Sequence, residues 1–290
     1  SDIAAQGGTM GASSDADATV FSANAPAANI EAAARILADV ALRPDFAADA
    51  LDGVRSQQSS AIAVAAKQPM QTALRTLPAA IFGKAPYGAV PTTASLGAVT
   101  RDSIAAAQHD SWGPRAATLI VTGALAPEAG FALAERSFGS WKGGSPPATG
   151  PRGTVSTRPR GGAGRQPRRA QAAVIVALPT AGRRDSDWPA LRVAYATLGG
   201  GFQGWLTQEV RVKRGLTYGA GSLIENRRDA AYLMAVTQTK TASANEVVGL
   251  ILDQIGRFGR EPVDTERAGG RATSLANGLS GQAGRAPGLA

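Results

Sequence analysis

T-L-G-G-G-F-Q-G-W-L-T-Q-E-V-R-V-K-R-G-L-T-Y-G-A-G-S, residues 197–222, decides how the rest of the chain is read. Three consecutive glycines, Gly199, Gly200 and Gly201, cannot form helix interior at ordinary cost, because glycine loses more backbone freedom than any other residue. They stop the helical pattern D-W-P-A-L-R-V-A-Y-A-T-L that precedes them. Beyond them Trp205, Leu206 and Val210 share one face, which predicts a helix over 202–213. Gly215 ends it, and Leu216-Thr217-Tyr218 opens an extended segment. Arg211 and Tyr218 thus flank a helix-to-strand turn, a spacing that can aim a guanidinium and a phenol at one point.

Upstream of this stretch, A-V-I-V-A-L (173–178) reads as a buried strand, and Ser186 or Asp187 caps a helix with Pro189 in its first turn. Downstream, 229–239 alternates and pairs with 216–224 as a hairpin, followed by an amphipathic helix over 245–258 that ends at Glu261-Pro262. Asp264 starts another helix.

The earlier part of the chain has a similar grammar. A helix tail closes at Gly7-Gly8, and 9–23 reads as one strand centred on Thr19, Val20 and Phe21. Helices follow over 29–42, 45–66 and 69–82, the first ended by Arg43-Pro44. Loops at 86–88 and 91–93 lead to a helix begun by Thr100-Arg101-Asp102 and running to Trp112. A-T-L-I-V-T-G (117–123) has the length and composition of a strand, and 127–138 is the next helix.

Between these halves the composition shifts. Five prolines, many glycines and arginines at 152, 158, 160, 165, 168 and 169, with no acid, mark 146–170 as a linker. An arginine-rich nucleic-acid arm is the competing reading, but no aromatics interleave for base stacking. The expected domains are therefore a first module at 1–145 and a second at 171–290. Residues 35–46 (R-I-L-A-D-V-A-L-R-P-D-F) parallel 250–263 (L-I-L-D-Q-I-G-R-F-G-R-E-P-V), Ile36 matching Ile251 and Pro44 matching Pro262. Two copies of one module follow from that. On this reading counterparts of 173–202 would precede Ser1, and counterparts of 69–142 would follow Ala290.

Composition narrows the chemistry. The chain of 290 residues has no cysteine and one histidine, which excludes thiolate catalysis, Cys-type metal sites and any metal site built on two histidines of this chain. His109 itself reads as a surface or capping residue beside Asp110. A hydrophobic content of 44% supports aliphatic cores, and no apolar run approaches the ~18 residues of a membrane span. The net charge of +8 suits an acidic substrate or partner.

The stretch 199–222 resembles the second-domain signature of the insulinase/pitrilysin-like metallopeptidases, in particular the processing-peptidase type. D-V-A-L-R-P-D-F (39–46), P-Y-G (86–88), V-T-R-D-S-I (99–104), L-I-V-T-G-A-L (119–125) and F-G-S-W (138–141) extend the resemblance over both halves. It implies an α+β fold of two homologous modules, each a mostly antiparallel sheet with helices on one side, forming half of a clam-shell peptidase.

Active members of that family bind zinc through H-x-x-E-H and a distal glutamate. The glutamate's counterpart here falls at Ala61, and no acid lies between Arg55 and Pro69. The resemblance is therefore to the non-catalytic, zinc-less subunit of a heteromeric peptidase. No cofactor is expected on this chain, and zinc is expected on a homologous H-x-x-E-H partner subunit. Arg211 and Tyr218 would be the catalytic pair supplied in trans, acting only in the complex. Gly199, Gly200, Gly201 and Phe202 would touch a peptide or unfolded substrate, although a plain helix stop explains the glycines equally well. A structural core-type subunit and an active peptidase with its zinc motif upstream of Ser1 are the alternatives. The resemblance points to the periplasm, with the cytoplasm as the other compartment.

Overall fold

The computed structural model describes residues 2–144, 153–155, 162, 170–263, 269–270 and 272–273. The linker arginines and the expected helix start at Asp264 lie outside them. Among the described residues two compact units emerge: 2–58 with 93–144, and 59–92 with those from 153 onward.

In the first unit a short helix α1 (Asp2–Ala5) leads into a hairpin of β1 (Thr9–Ser14) and β2 (Thr19–Asn24), paired antiparallel with Ala12 opposite Phe21. The single strand expected over 9–23 is thus two strands. The turn is made by Asp15, whose carboxylate accepts from the backbone N–H groups of Asp17 and Ala18 at 2.7 and 2.9 Å. Helix α2 (Ile30–Leu42) packs on this hairpin and on α7 (Pro127–Phe138) through small residues, with Ala33, Ala38, Ala41 and Leu133 buried. Between them in sequence run α3 (Ala48–Ala65), of which the part from Ser59 belongs to the second unit, α5 (Thr93–Gly97) and α6 (Arg101–Ser111). Thr100 and Ser103 cap α6 reciprocally, each side chain accepting from the other's backbone N–H. Residues 117–122, expected as a strand, pair with no strand among the described residues, and Ile120 is 78% exposed. Apolar composition supplies the propensity for a strand but not the neighbour that makes one.

The second unit is built on a three-stranded antiparallel sheet in the order β3-β5-β4: β3 (Gln171–Pro179), β5 (Ala231–Lys240) and β4 (Thr217–Asn226). Strand alternation sends Val174, Leu233 and Ala235 to one face, under α8 (Trp188–Gly199) and α9 (Ala244–Phe258). Leu198, Leu206, Val210, Val247 and Ile251 are fully buried there. The other face carries Tyr232 and Met234 against Ile81, Phe82 and Tyr87, from α4 (Pro69–Phe82) and the turn after it. α4 therefore belongs to this unit, although it precedes the linker.

The two units repeat one local plan. Gly7 and Gly215 both have φ of +66°, each two residues before a strand. A hairpin with a four-residue turn follows in both, then a single 3₁₀ turn (Ala27–Asn29; Thr241–Ser243), then α2 or α9. In this alignment Arg211 matches Ile3 and Tyr218 matches Met10.

Candidate functional site

Trp205 begins the helix expected after the glycines, but from Thr207 to Lys213 its register is that of a π-helix. The wider turn keeps Leu206, Thr207 and Val210 buried together, and Thr207 Oγ1 donates to Ala220 O at 2.6 Å. π turns are rare and concentrate at functional positions. Arg211 is on this one. The helix closes at Gly215, whose positive φ lets its N–H reach Arg211 O at 2.9 Å while Leu216 N–H reaches Val210 O at 3.0 Å.

Tyr218 sits on a second irregularity. Thr217 pairs with Thr239 and Ala220 with Thr237, so three steps on β4 match two on β5. The extra residue is a β-bulge at Tyr218-Gly219, a device that re-aims side chains. Two threonines pin it. Thr237 Oγ1 donates to Gly219 O at 2.8 Å, and Gly219 N–H donates to Thr217 Oγ1 at 3.1 Å. The two hydroxyl oxygens lie 2.7 Å apart. The Tyr218 side chain is turned out of the sheet and is 89% exposed.

Together the two irregularities bring the expected pair into contact. The Arg211 guanidinium carbon lies 4.8 Å from the Tyr218 ring centroid and 5.3 Å from that of Phe202. Among the described residues Arg211 has no acidic partner. Its neighbours do: Glu209 binds Lys213 Nζ at 2.9 Å and Arg214 Nε at 3.1 Å. The hydrogen bond from Lys213, reinforced by Arg214, holds the Glu209 carboxyl below its ordinary pKa, against a smaller opposing effect of burial. The local acid is thus committed to Lys213 and Arg214, and Arg211 is left to the aromatic faces. A guanidinium held by its faces keeps its five in-plane N–H donors for a ligand.

The glycines divide in role. Gly199 is buried, and a Cβ there would overlap the backbone N of Ser222, so it lets α8 meet β4 at close range. Gly200 ends α8, its N–H bonding Ala196 O at 2.7 Å. Gly201 has φ +71° and is exposed, next to Phe202 at 54% exposure. Sequence reasoning missed Thr217 and Thr237 as the residues that set Tyr218, because only the bulge shifts Thr217, whose strand partner is Thr239, next to Thr237.

Ala61 is an exposed residue of α3, and the nearby Arg55 is engaged with Asp52 and with Leu96 O and Val99 O. Among the described residues no group of three or more His, Cys, Asp or Glu side chains gathers in one place. His109 pairs with its exposed neighbour Asp110.

Two family models match the chain: the peptidase M16 inactive domain over 98–268, and insulinase (peptidase family M16) over 1–91. The chain belongs to peptidase family M16. Its relatives include a Mycobacterium tuberculosis protein named an uncharacterized zinc protease, 26% identical over 95% of this chain and 64% of its own length. A Mycobacterium leprae protein of the same description is 27% identical over 89% of this chain and 59% of itself. This chain therefore spans about three fifths of the length of those relatives. Among solved structures, the peptidase M16 inactive domain of Pseudomonas fluorescens superposes with TM-score 0.84 at 21% identity, over 99% of this chain and 72% of that one. The Escherichia coli periplasmic protease PqqL gives 0.78 at 15% identity, over 96% and 31%. These structures share the M16 α+β fold: antiparallel sheets with packed helices. No helix among the described residues is long and apolar enough to cross a membrane.

Proposed function

We propose that this M16 chain is the zinc-less half of a two-subunit metallopeptidase, and that Arg211 and Tyr218 bind substrate and stabilise the oxyanion at a peptide bond held by a partner subunit. The observation that carries this reading is the contact of half-buried Arg211 with exposed Tyr218, built from a π turn and a β-bulge and, among the described residues, left without an acid. In the first copy of the local plan Ile3 and Met10 occupy the matching positions, so the plan folds without such a pair. The Arg211 N–H donors and the Tyr218 O–H would donate to the scissile carbonyl oxygen as negative charge develops on it. One such donor is worth about 3 kcal/mol in the transition state. The substrate would be a peptide or unfolded segment added as a strand to a sheet edge, with Phe202 and the exposed Gly201 beside it.

The test is peptide cleavage by the chain combined with its H-x-x-E-H subunit. Arg211→Ala should lower kcat/KM about 100-fold while the complex still assembles. Unchanged proteolysis would favour a purely structural subunit.

A second reading draws support from the mycobacterial relatives, which are named zinc proteases. It makes this chain part of a peptidase that carries its own metal. Stoichiometric zinc and peptide cleavage in the intact protein without a partner would establish it against the first. The periplasm, compartment of the related-fold protease PqqL, is the proposed location. Recovery of the protein only with cytoplasmic markers after osmotic shock would contradict that.

A further inference from the structure

Arg211 is a guanidinium whose donors are unspent. It is half-buried, and its guanidinium carbon lies over the rings of Tyr218 and Phe202 at 4.8 and 5.3 Å. Its N–H groups make no hydrogen bond among the described residues. The setting is fixed from the loop side. Gln208 Nε2 donates to Phe202 O at 2.9 Å, and Gly201, at φ +71°, supplies a backbone conformation that side-chain-bearing residues rarely adopt.

Electrostatics set Arg211 apart from the cations around it. Lys213 and Arg214 share Glu209, and Arg214 Nη1 also lies 4.0 Å from Glu246. In the same unit Arg227 faces Glu225 at 3.0 Å and Arg257 faces Glu261 at 2.6 Å. Arg211, Lys213 and Arg214 against Glu209 and Glu246 leave one positive charge over, and it falls on the guanidinium that has only rings for neighbours. A planar fork of N–H donors pairs best with a planar carboxylate, through two parallel charge-assisted hydrogen bonds. The five donors span two edges of the guanidinium, so one edge can take a carboxylate while the other, with the Tyr218 O–H, serves a carbonyl oxygen.

We infer that Arg211 also selects the substrate: the peptide it takes carries a carboxylate close to the scissile bond, from an acidic side chain or a chain end, which forks onto the guanidinium. The inference rests on the reading above for peptide as the ligand. The net charge of +8 favours the approach of such a peptide.

The probes are N-acetyl-alanyl-aspartyl-alaninamide and its asparaginyl counterpart, with N-acetyl-alanyl-alanine as the chain-end probe. Each is titrated into the intact 15N-labelled protein. The readout is the Arg211 Nε–H signal, assigned by its loss in Arg211→Lys. The aspartyl probe should shift that signal saturably, with a Kd on the order of 10 mM. The asparaginyl probe should bind at least about tenfold more weakly. This comparison is made on the wild-type chain and needs no variant to fold. Binding of the chain-end probe alone would support the carboxylate site and assign its source to a peptide terminus. Equal shifts with the aspartyl and asparaginyl probes overturn the inference, as does an Arg211 signal that neither carboxylate probe moves. Cleavage tests the other role separately. If Arg211→Ala lowers proteolysis while no carboxylate probe binds, the oxyanion role stands and carboxylate selection falls. If the probes bind while Arg211→Ala leaves proteolysis unchanged, the oxyanion role falls and the carboxylate site stands.

Discussion

The guanidinium of Arg211 stacks on the ring of Tyr218 at 4.8 Å, although the two residues belong to different elements and each sits where its element departs from regular geometry. A regular helix over 207–213 would present position 211 at a different angle, because a π turn takes more residues per revolution than an α turn. A regular ladder at 217–220 would alternate Tyr218 into the pleat. Two independent departures that converge on one contact between a half-buried guanidinium and an exposed phenol argue for a role beyond packing.

Tyr218→Phe separates the phenol from the ring. The phenyl ring still stacks on Arg211, but the O–H donor is gone. The proposed peptidase complex should lose about 100-fold in kcat/KM, the scale for one oxyanion donor, with the larger share in kcat. At 89% exposure the residue contributes little to folding, so the melting temperature should stay within about 1 °C. Steady-state kinetics beside a thermal melt reads both.

Arg211→Lys keeps the charge and removes the planar fork. A lysine ammonium is a compact point charge and cannot lie flat between the Phe202 and Tyr218 rings while offering two donors in one plane. Rescue should therefore be partial, with activity roughly tenfold above Arg211→Ala and still well below wild type. Full rescue would mean that charge alone suffices and that the stacking geometry is incidental.

Thr237 holds Tyr218 from behind. Its hydroxyl is buried and donates to Gly219 O at 2.8 Å inside the bulge. Thr237→Val keeps the shape and removes the Thr237 bond, leaving Gly219 O to Thr217 Oγ1 at 2.9 Å and Thr217 Oγ1 with Gln238 O at 2.6 Å, at a cost of about 0.5–1.5 kcal/mol. On the proposed reading Thr237, buried behind the bulge, acts by positioning. Denaturant titration reads the stability loss. A fall in kcat that returns with Thr237→Ser would separate positioning from a general weakening of the sheet.

Much of this architecture was legible in the sequence. The hairpin of β4 and β5, the helix stops at Gly200 and Gly215 and the proximity of Arg211 and Tyr218 follow from glycine positions and apolar periodicity. The π register and the bulge do not. Both depend on which residue faces which across a pair, and T-Y-G-A alternates in the same way in either register. The break of 9–23 into two strands had a signal in Asp15, whose side chain can close a turn on its own backbone. The run at 117–122 misled because β-propensity measures fit to a pleated surface, and that surface must come from other residues.

Gly199→Ala adds one methyl where there is no room. The new Cβ would overlap the Ser222 backbone N, which cannot yield as a side chain would. α8 and β4 would have to move apart, at a cost of about 1–3 kcal/mol. Thermal denaturation should show a clear drop in Tm. By contrast Gly249→Ala, on α9 with open space around the added methyl, should be neutral or stabilising.

Glu209 makes the acid limb of stability specific. Its carboxyl titrates below its ordinary value because Lys213 hydrogen-bonds the charged form, with Arg214 adding to it. A group whose pKa is depressed by folding adds stability above its unfolded pKa and loses that stability as pH falls through the folded value. Chemical denaturation followed from pH 7 downward should therefore lose stability as the carboxyl protonates. Glu209→Gln should start lower at pH 7 and flatten that limb. Raised salt should shrink the difference only in part, since the Glu209 side chain is just 12% exposed and its pairs are partly shielded from screening. If wild type and Glu209→Gln trace parallel curves down to pH 3, the carboxylate is not what binds Lys213 and Arg214. The lack of an acidic partner for Arg211 among the described residues, which depends on that commitment, would then need another cause.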